Sequence, residues 1–317
     1  MSTPSKEMIS WLLQKKFSDN KGGSKMFAYH TPVLLEESVS LLRINPEGVY
    51  VDATFGGGGH SREILSHLGK DGRLIVMDRD RDALGNIPDD DRVIAVHSDY
   101  RFIHNFVHYH GFDGVDGIIA DLGVSSNQFD TEERGFSFRF DARLDMRMND
   151  SAEMDAEQVV NGYDKERLEE IFRNYGEVEG AGKAADLICR ARETSPIKTT
   201  GALADILSPI LPKFAPHKVL AKVFQALRIE VNNEMDSLEK FIPMAVKSLN
   251  PGGRIAIITY HSLEDRIVKN SLRDFCNEQI LTKVTRKPIL PTEQEIAENT
   301  RARSAKLRVA EKRSGED

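Results

Sequence analysis

The chain has 317 residues, of which 40% are hydrophobic and 29% charged, with a formal net charge of −7. This suits a globular protein of one large or two modest domains, and the negative balance argues against indiscriminate nucleic-acid binding. No run approaches the ~18 uncharged apolar residues of a membrane span, and Cys189 and Cys276, far apart and outside any CxxC pattern, read as reduced thiols of a cytoplasmic protein.

In chain order, the opening "MSTPSKEMISWLLQKKFSDNKGGSK" (1–25) reads as a frayed or weakly helical extension and not as a signal peptide. "GVYVDATF" (48–55), "GRLIVMD" (72–78), "RVIAVHSD" (92–99) and "VDGIIADLG" (115–123) are near-continuous apolar runs, the pattern of parallel strands covered on both faces. Between the first two, "SREILSHLG" predicts a helix capped by Ser61 and ended by Gly69. The alternation predicts a doubly wound α/β sheet over a first part, 26–135.

From 136 to 216 the pattern is helical, with no strong strand, and reads as an insertion. "DKERLEEIFRNYG" places Leu168, Ile171, Phe172 and Tyr175 on one side, and "TTGALADILSPIL" is a second short helix. The sheet part resumes over 217–317. Phe224, Leu227, Val231, Met235, Leu238, Ile242, Ala245 and Leu249 recur at steps of three and four, predicting one long helix stopped by "NPGG" (250–253). A strand (254–261), the helix "SLEDRIVKNSLRDF" and a last strand, "AKLRVAEKR" (305–313), complete the chain.

The four glycines of "VDATFGGGGHSREIL" offer bare backbone before a helix N-terminus. A dinucleotide G-x-G-x-x-G template puts Ser61 or Arg62 where the third glycine belongs, and no Lys-Ser/Thr pair completes a P-loop. An acid, three residues and G-x-G does fit: Asp52 followed by Gly56, Gly57 and Gly58, a pattern of S-adenosylmethionine methyltransferases. A turn that merely packs helix on strand is the alternative. Asp78, ending the second run, is placed to accept two ribose hydroxyls or simply to cap a loop. At the third strand end, Asp99 and Tyr100 would bind an adenine amino group and stack on its ring, unless Tyr100 is an ordinary core aromatic. Asp121 ends the fourth run, where loops converge on a reacting group; it is the candidate catalytic carboxylate. His60 either meets the cofactor's carboxylate or caps the helix. Ser125 and Ser126 sit in a polar loop without a G-x-S-x-G elbow, and none of the nine histidines has metal-ligand spacing, so no metal is expected.

"HTPVLLEE", "TFGGGGHS", "DLGVSSNQFD", "ERGFSFR", "LDMRM", "FQALRIEVNNE", "HSLEDRIVK" and "RARSAKLRVAEK", in this order from His30 to Lys312, closely resemble the bacterial small-subunit ribosomal RNA methyltransferase H family, also called MraW. The resemblance implies a class I (Rossmann-like) methyltransferase sheet interrupted by a helical substrate-recognition insertion. It also implies methyl transfer from S-adenosylmethionine to N4 of one cytidine in the decoding region of 16S ribosomal RNA, within the small ribosomal subunit. Matching positions give Gly58, Gly59, His60, Asp78, Tyr100, Asp121 and Gln128 as cofactor-binding residues. Tyr100 stands where the family is associated with phenylalanine, and the segment between Asn277 and Pro291 is shorter than in some members.

RNA contacts on an acidic chain need local basic sites. Arg134 and Arg139 are interleaved with Phe136, Phe138 and Phe140, and Arg301 and Arg303 lie in the basic "RARSAKLRVAEKR". Arg228 and Asn232 fall on a polar stripe of the long helix, and His261 follows a strand beside the proposed site; the plain alternative is a solvated face for the arginines and Asn232, and an ordinary strand-end histidine for His261. A nicotinamide oxidoreductase, a non-catalytic RNA-binding factor and a small-molecule methyltransferase are the competing functions, and homodimerisation is left open.

Overall fold

The structure is a computed structural model that describes residues 32–315; the proposed 1–25 extension, and His30 and Thr31 of the first motif, lie outside the described residues. The elements in chain order are α1 (Leu35–Leu42), β1 (Val49–Asp52), α2 (Gly59–His67), β2 (Arg73–Asp78), α3 (Arg81–Leu84), β3 (Val93–His97), α4 (Ile103–Tyr109) and β4 (Val115–Asp121). Helices α5 (Ser126–Asp130), α6 (Ala156–Gly162), α7 (Lys165–Asn174), α8 (Ala181–Thr194), α9 (Thr200–Leu207), α10 (Pro216–Asn232) and α11 (Glu234–Ser248) follow. The chain then returns through β5 (Leu249–Thr259), α12 (Ser262–Asn277), β6 (Leu281–Lys283), α13 (Glu293–Glu298) and β7 (Lys306–Lys312). Among the described residues no helix is long and apolar enough to cross a membrane.

The seven strands order as β3-β2-β1-β4-β5-β7-β6, with β1 to β5 parallel and β7 antiparallel to both its neighbours. The apolar runs are explained by burial on both faces. Val51, Ile75, Met77 and Ile118 face one layer, with Phe241 and Ile242 of α11. Tyr50, Leu74, Val76 and Ile119 face the other, against Leu42 of α1 and Ile64 of α2. Each such fully buried side chain stabilises the fold by about 1.5–3 kcal/mol. The strand order reverses at the β1–β4 pair, so a crevice opens beyond their C-terminal ends. This is the expected class I sheet.

A separate apolar cluster runs from Phe136 to Val231, built by α6 to α10. It is cross-tied at its start: Leu144 N–H donates to Lys198 O (2.9 Å), and Arg143 bridges Thr199. The cluster includes Leu220, Val223, Phe224 and Leu227 of α10, so the helical packing continues past residue 216.

Four local expectations are corrected. Ser61 does not cap α2; the helix starts at Gly59 with Gly58 as N-cap, and the Ser61 hydroxyl donates to Asp52 instead (2.6 Å). That helix ends at His67, before Gly69. The long helix is two helices, because Asn233 adopts a left-handed conformation (φ 50°) between α10 and α11. "NPGG" does not precede the strand but lies inside β5, where pairing with β4 shifts register between Val115 and Gly117. Helix α1 and strand β6 had no sequence signal; α1 follows Leu34 at φ 53°, with no side-chain cap to announce it.

Candidate active site

Beyond the strand ends lies a cavity of about 1170 Å³. Its floor is made by the β1–α2 turn and the ends of β2 and β4; one wall is the Val124–Thr131 segment, and deeper parts are lined by Arg228, Glu234, Leu238, Tyr260 and Glu264.

The turn is held by carboxylates. Asp52, 2% exposed, accepts from Thr54 N–H (3.1 Å) and from Ser61 Oγ; burial pushes its carboxyl up to about 6. It anchors the turn and does not line the cavity. Asp78 does line it, accepting from the N–H groups of Gly56 and Asp80 (both 2.8 Å), and burial raises its pKa. Gly58 is not among the lining residues; its glycine is needed by φ 74° and by Phe55, whose ring a Cβ would meet at 2.6 Å. Gly59 lines the cavity, and a Cβ there would meet Pro32 Cγ at 2.0 Å. With no side-chain cap on α2, the first helical amides at this wall suit an anionic group.

Asp121 sits at the centre. Tyr260 donates its hydroxyl to Asp121 Oδ1 (2.7 Å), while Asp121 N–H donates to Thr54 Oγ1 (2.6 Å). The side chain is 24% exposed, and burial pushes its carboxyl up to about 7, against the Tyr260 hydrogen bond that lowers it. His60 Nδ1 lies 3.9 Å from Asp121 Oδ2, and His60 Nε2 lies 3.2 Å from Val33 O. Burial takes His60 down to about 4, so the ring is neutral at pH 7 and the two do not form an ion pair. His60 therefore joins the site through a fixed, uncharged ring. It is not the cap of α2.

Tyr100 lines the cavity, buried, with Phe241 edge-on (ring centroids 4.8 Å apart) and the Arg79 guanidinium 5.5 Å from its ring. Asp99 is engaged elsewhere. It caps the turn at Arg101, accepts from Ser237 Oγ (3.0 Å), pairs with Arg79 (3.3 Å) and does not line the cavity, which removes it as the adenine partner. Gln128, 4% exposed, forms a capping box with Ser125 and donates Nε2 to Asp80 (2.7 Å). Ser125 is thus a helix cap facing the cavity.

The proposed RNA residues divide. Arg134 is tied inside the protein, donating to Asp80 (3.0 Å) and to the carbonyls of Arg147 and Met148. Asn232 is also structural, accepting from Met148 N–H (2.7 Å) and donating to Met146 O (2.8 Å). Arg228 lines the cavity but is held bidentately by Glu234 (2.8 and 2.9 Å). His261 is the N-cap of α12, its Nδ1 accepting from Glu264 N–H (3.3 Å), and it does not line the cavity. Arg303 is exposed and also outside the lining. Arg301 lines the cavity, and Arg139, outside the lining, joins it on two lining residues, Phe129 and Asp130. Their guanidinium carbons lie 4.8 and 5.2 Å from the Phe129 ring, and both pair with Asp130 (3.8 and 2.5 Å).

Two features went unseen in the sequence. Tyr260 reaches Asp121 because β5 registers Ile258 beside it, a pairing set by the irregularity in "NPGG". Glu234, His261 and Glu264 converge, with ligand-type atoms within 4.8 Å of one another, from positions without metal spacing. Glu234 is filled by Arg228, and Glu264 Oε2 accepts from Tyr260 N–H (2.8 Å) and His261 N–H (3.3 Å), while Glu264 Oε1 lies 3.1 Å from the buried His261 Nε2.

Residues 27–313 match the model of the MraW methylase family. The chain is 52% identical over 297 residues to the ribosomal RNA small subunit methyltransferase H of Bacteroides fragilis, covering 90% of this chain and 98% of that one. It is 50% identical over 295 residues to the protein of that name from Flavobacterium johnsoniae, with the same coverage. Among solved structures, an rRNA methylase from Streptococcus thermophilus aligns over 88% of this chain and 93% of its own at 14% identity and a TM-score of 0.38, too distant to inform the site.

Proposed function

The chain belongs to the MraW methylase family, and on that premise we propose that it transfers a methyl group from S-adenosylmethionine to N4 of one cytidine in the decoding region of 16S ribosomal RNA. We place the reaction on the small ribosomal subunit, in the cytoplasm.

The residues present fit such a cofactor. A carboxylate at the end of β2, an aromatic at the end of β3 and an uncapped helix start border one cavity. In this reading Asp78 accepts the ribose hydroxyls with the lone pairs left free by Gly56 and Asp80, and Tyr100 lies against the adenine. The α2 amides and Gly59 receive the methionine carboxylate, and Gln128 holds the wall through Asp80. When bound, the cofactor supplies an already activated methyl on a sulfonium.

What the protein must do is aim N4, whose lone pair is delocalised into the ring. Holding both reactants in line supplies roughly 7–11 kcal/mol. Asp121 accepts a hydrogen of N4, localising its lone pair as the new bond forms, an interaction strongest in the transition state. A carboxyl raised to about 7 is a stronger proton acceptor than an ordinary aspartate once ionised. Tyr260 fixes its direction from one side, and the neutral His60 ring leaves the charge on Asp121 unpaired. Arg139 and Arg301 at the rim take RNA phosphates, with Phe129 between them for a base.

The observation that carries the reading is Asp121 itself, a strand-end carboxylate facing the same cavity as Asp78 and Tyr100. The test is labelled methyl transfer to small subunits lacking the modification, followed by nucleoside analysis. N4-methylcytidine is the expected product; label in another nucleoside, or none, defeats the proposal.

A further inference from the structure

The linker between α9 and α10 carries an aromatic that the active site does not use. Phe214 is 90% exposed, far more than any other large apolar side chain among the described residues. It is not loosely hung. Pro212 and Pro216 flank it, Ala215 holds a left-handed conformation (φ 61°), and Pro216 starts α10 as its first residue. Its neighbours are cationic: Lys213, His217 and Lys218 are all exposed. From Ile206 to Ile229 the sequence contains no Asp or Glu, in a chain whose net charge is −7.

We propose that Phe214 is a stacking platform for an unpaired base of the RNA, with Lys213 and Lys218 meeting the phosphates on either side. The proposal rests on the RNA reading above and extends it to a second contact. Helix α10 links the two: Phe214 lies two residues before its start, and Arg228, which lines the cavity, lies about 18 Å along the helix from Pro216. A strand with its target base in the cavity would reach Phe214 a few nucleotides away. A protein partner would bury an apolar patch, whereas this ring stands alone between cations and prolines along the chain. A pre-set aromatic loses little freedom on stacking, and stacking tolerates any base.

The chain has one tryptophan, Trp11, so Phe214→Trp made together with Trp11→Phe gives a reporter at the tip. Its fluorescence is expected to quench on titration with small-subunit RNA. Phe214→Ala and Phe214→Leu are expected to raise the Kd for naked RNA and the KM for small subunits roughly 5- to 150-fold, the loss of one stacked base, with kcat and cofactor affinity unchanged. Lys213→Gln with Lys218→Gln is expected to flatten the salt dependence of binding. An unchanged RNA Kd in both Phe214 variants, a reporter blind to RNA, or a defect on assembled subunits but not in binding naked RNA (a protein contact) would each overturn the proposal. Failure of the wild-type chain to methylate small subunits would instead defeat the functional reading, which the fluorescence titration does not depend on.

Discussion

The floor and the rim of the cavity are built on opposite plans. At the floor, Asp78 and Asp121, with Asp52 anchoring the turn beneath, end three parallel strands, and each is fixed by backbone amides or by a hydroxyl. At the rim, Arg139 and Arg301 meet one phenylalanine and one exposed aspartate, contacts that water and salt weaken. A floor of this kind holds a small molecule in one pose; a rim of this kind yields to a flexible strand. On that contrast, floor changes should strike turnover or cofactor affinity, and rim changes should strike the RNA KM.

The sharpest break is Asp121→Asn, expected to cut kcat by about 10²–10⁴ with little effect on either KM. The same variant should melt no lower than the parent, because a folded pKa raised from 3.8 to about 7 means that ionising Asp121 disfavours the native state. That group's stabilising contribution is complete below its unfolded pKa and is lost as pH rises through about 7, so the two proteins should differ most in thermal melts above pH 7. A lower melting temperature for the variant at pH 8 would contradict this.

Gly59→Ala should weaken cofactor binding next, by roughly tenfold in calorimetry, and destabilise the fold by about 1–3 kcal/mol, since Pro32 must move. The pH profile comes third. With Asp121 as the proposed carboxylate acceptor, kcat should rise through an ascending limb near pH 7. Tyr260→Phe removes the hydrogen bond that lowers this pKa, so the limb should move up, by about one unit, and the deficit of about fivefold at pH 7 should disappear by pH 9. A deficit independent of pH would leave Tyr260 with packing alone. The smallest effect belongs to the rim: Arg139→Gln with Arg301→Gln should raise the RNA KM a few-fold and reduce its salt slope, leaving kcat intact.

The floor was legible because its chemistry is written locally. Apolar strands end in acids, and a glycine run marks the place where Pro32 and Phe55 crowd the backbone, so Asp78 and Asp121 could be placed from position alone. What stayed hidden depends on register and on distant partners. Tyr260 becomes a partner of Asp121 only through the β4–β5 register, and nothing local in "NPGG" reveals a strand running through it. Arg134 and Asn232 looked like nucleic-acid contacts because a polar side chain carries no mark of which carbonyl or carboxylate 14 or 86 positions away will satisfy it. The single long helix failed for a different reason. Apolar spacing continues through Asn233 because the residues on both sides are buried, although in different cores.

That one left-handed residue acts as an elbow. Helix α10 belongs to the helical body, α11 packs on the sheet and on the turn at Tyr100, and the Arg228–Glu234 clasp closes across the bend. A load applied to the far tip of α10 therefore bears on Arg228 and Glu234, which line the cavity, and bending at Asn233 would pull directly on their ion pair.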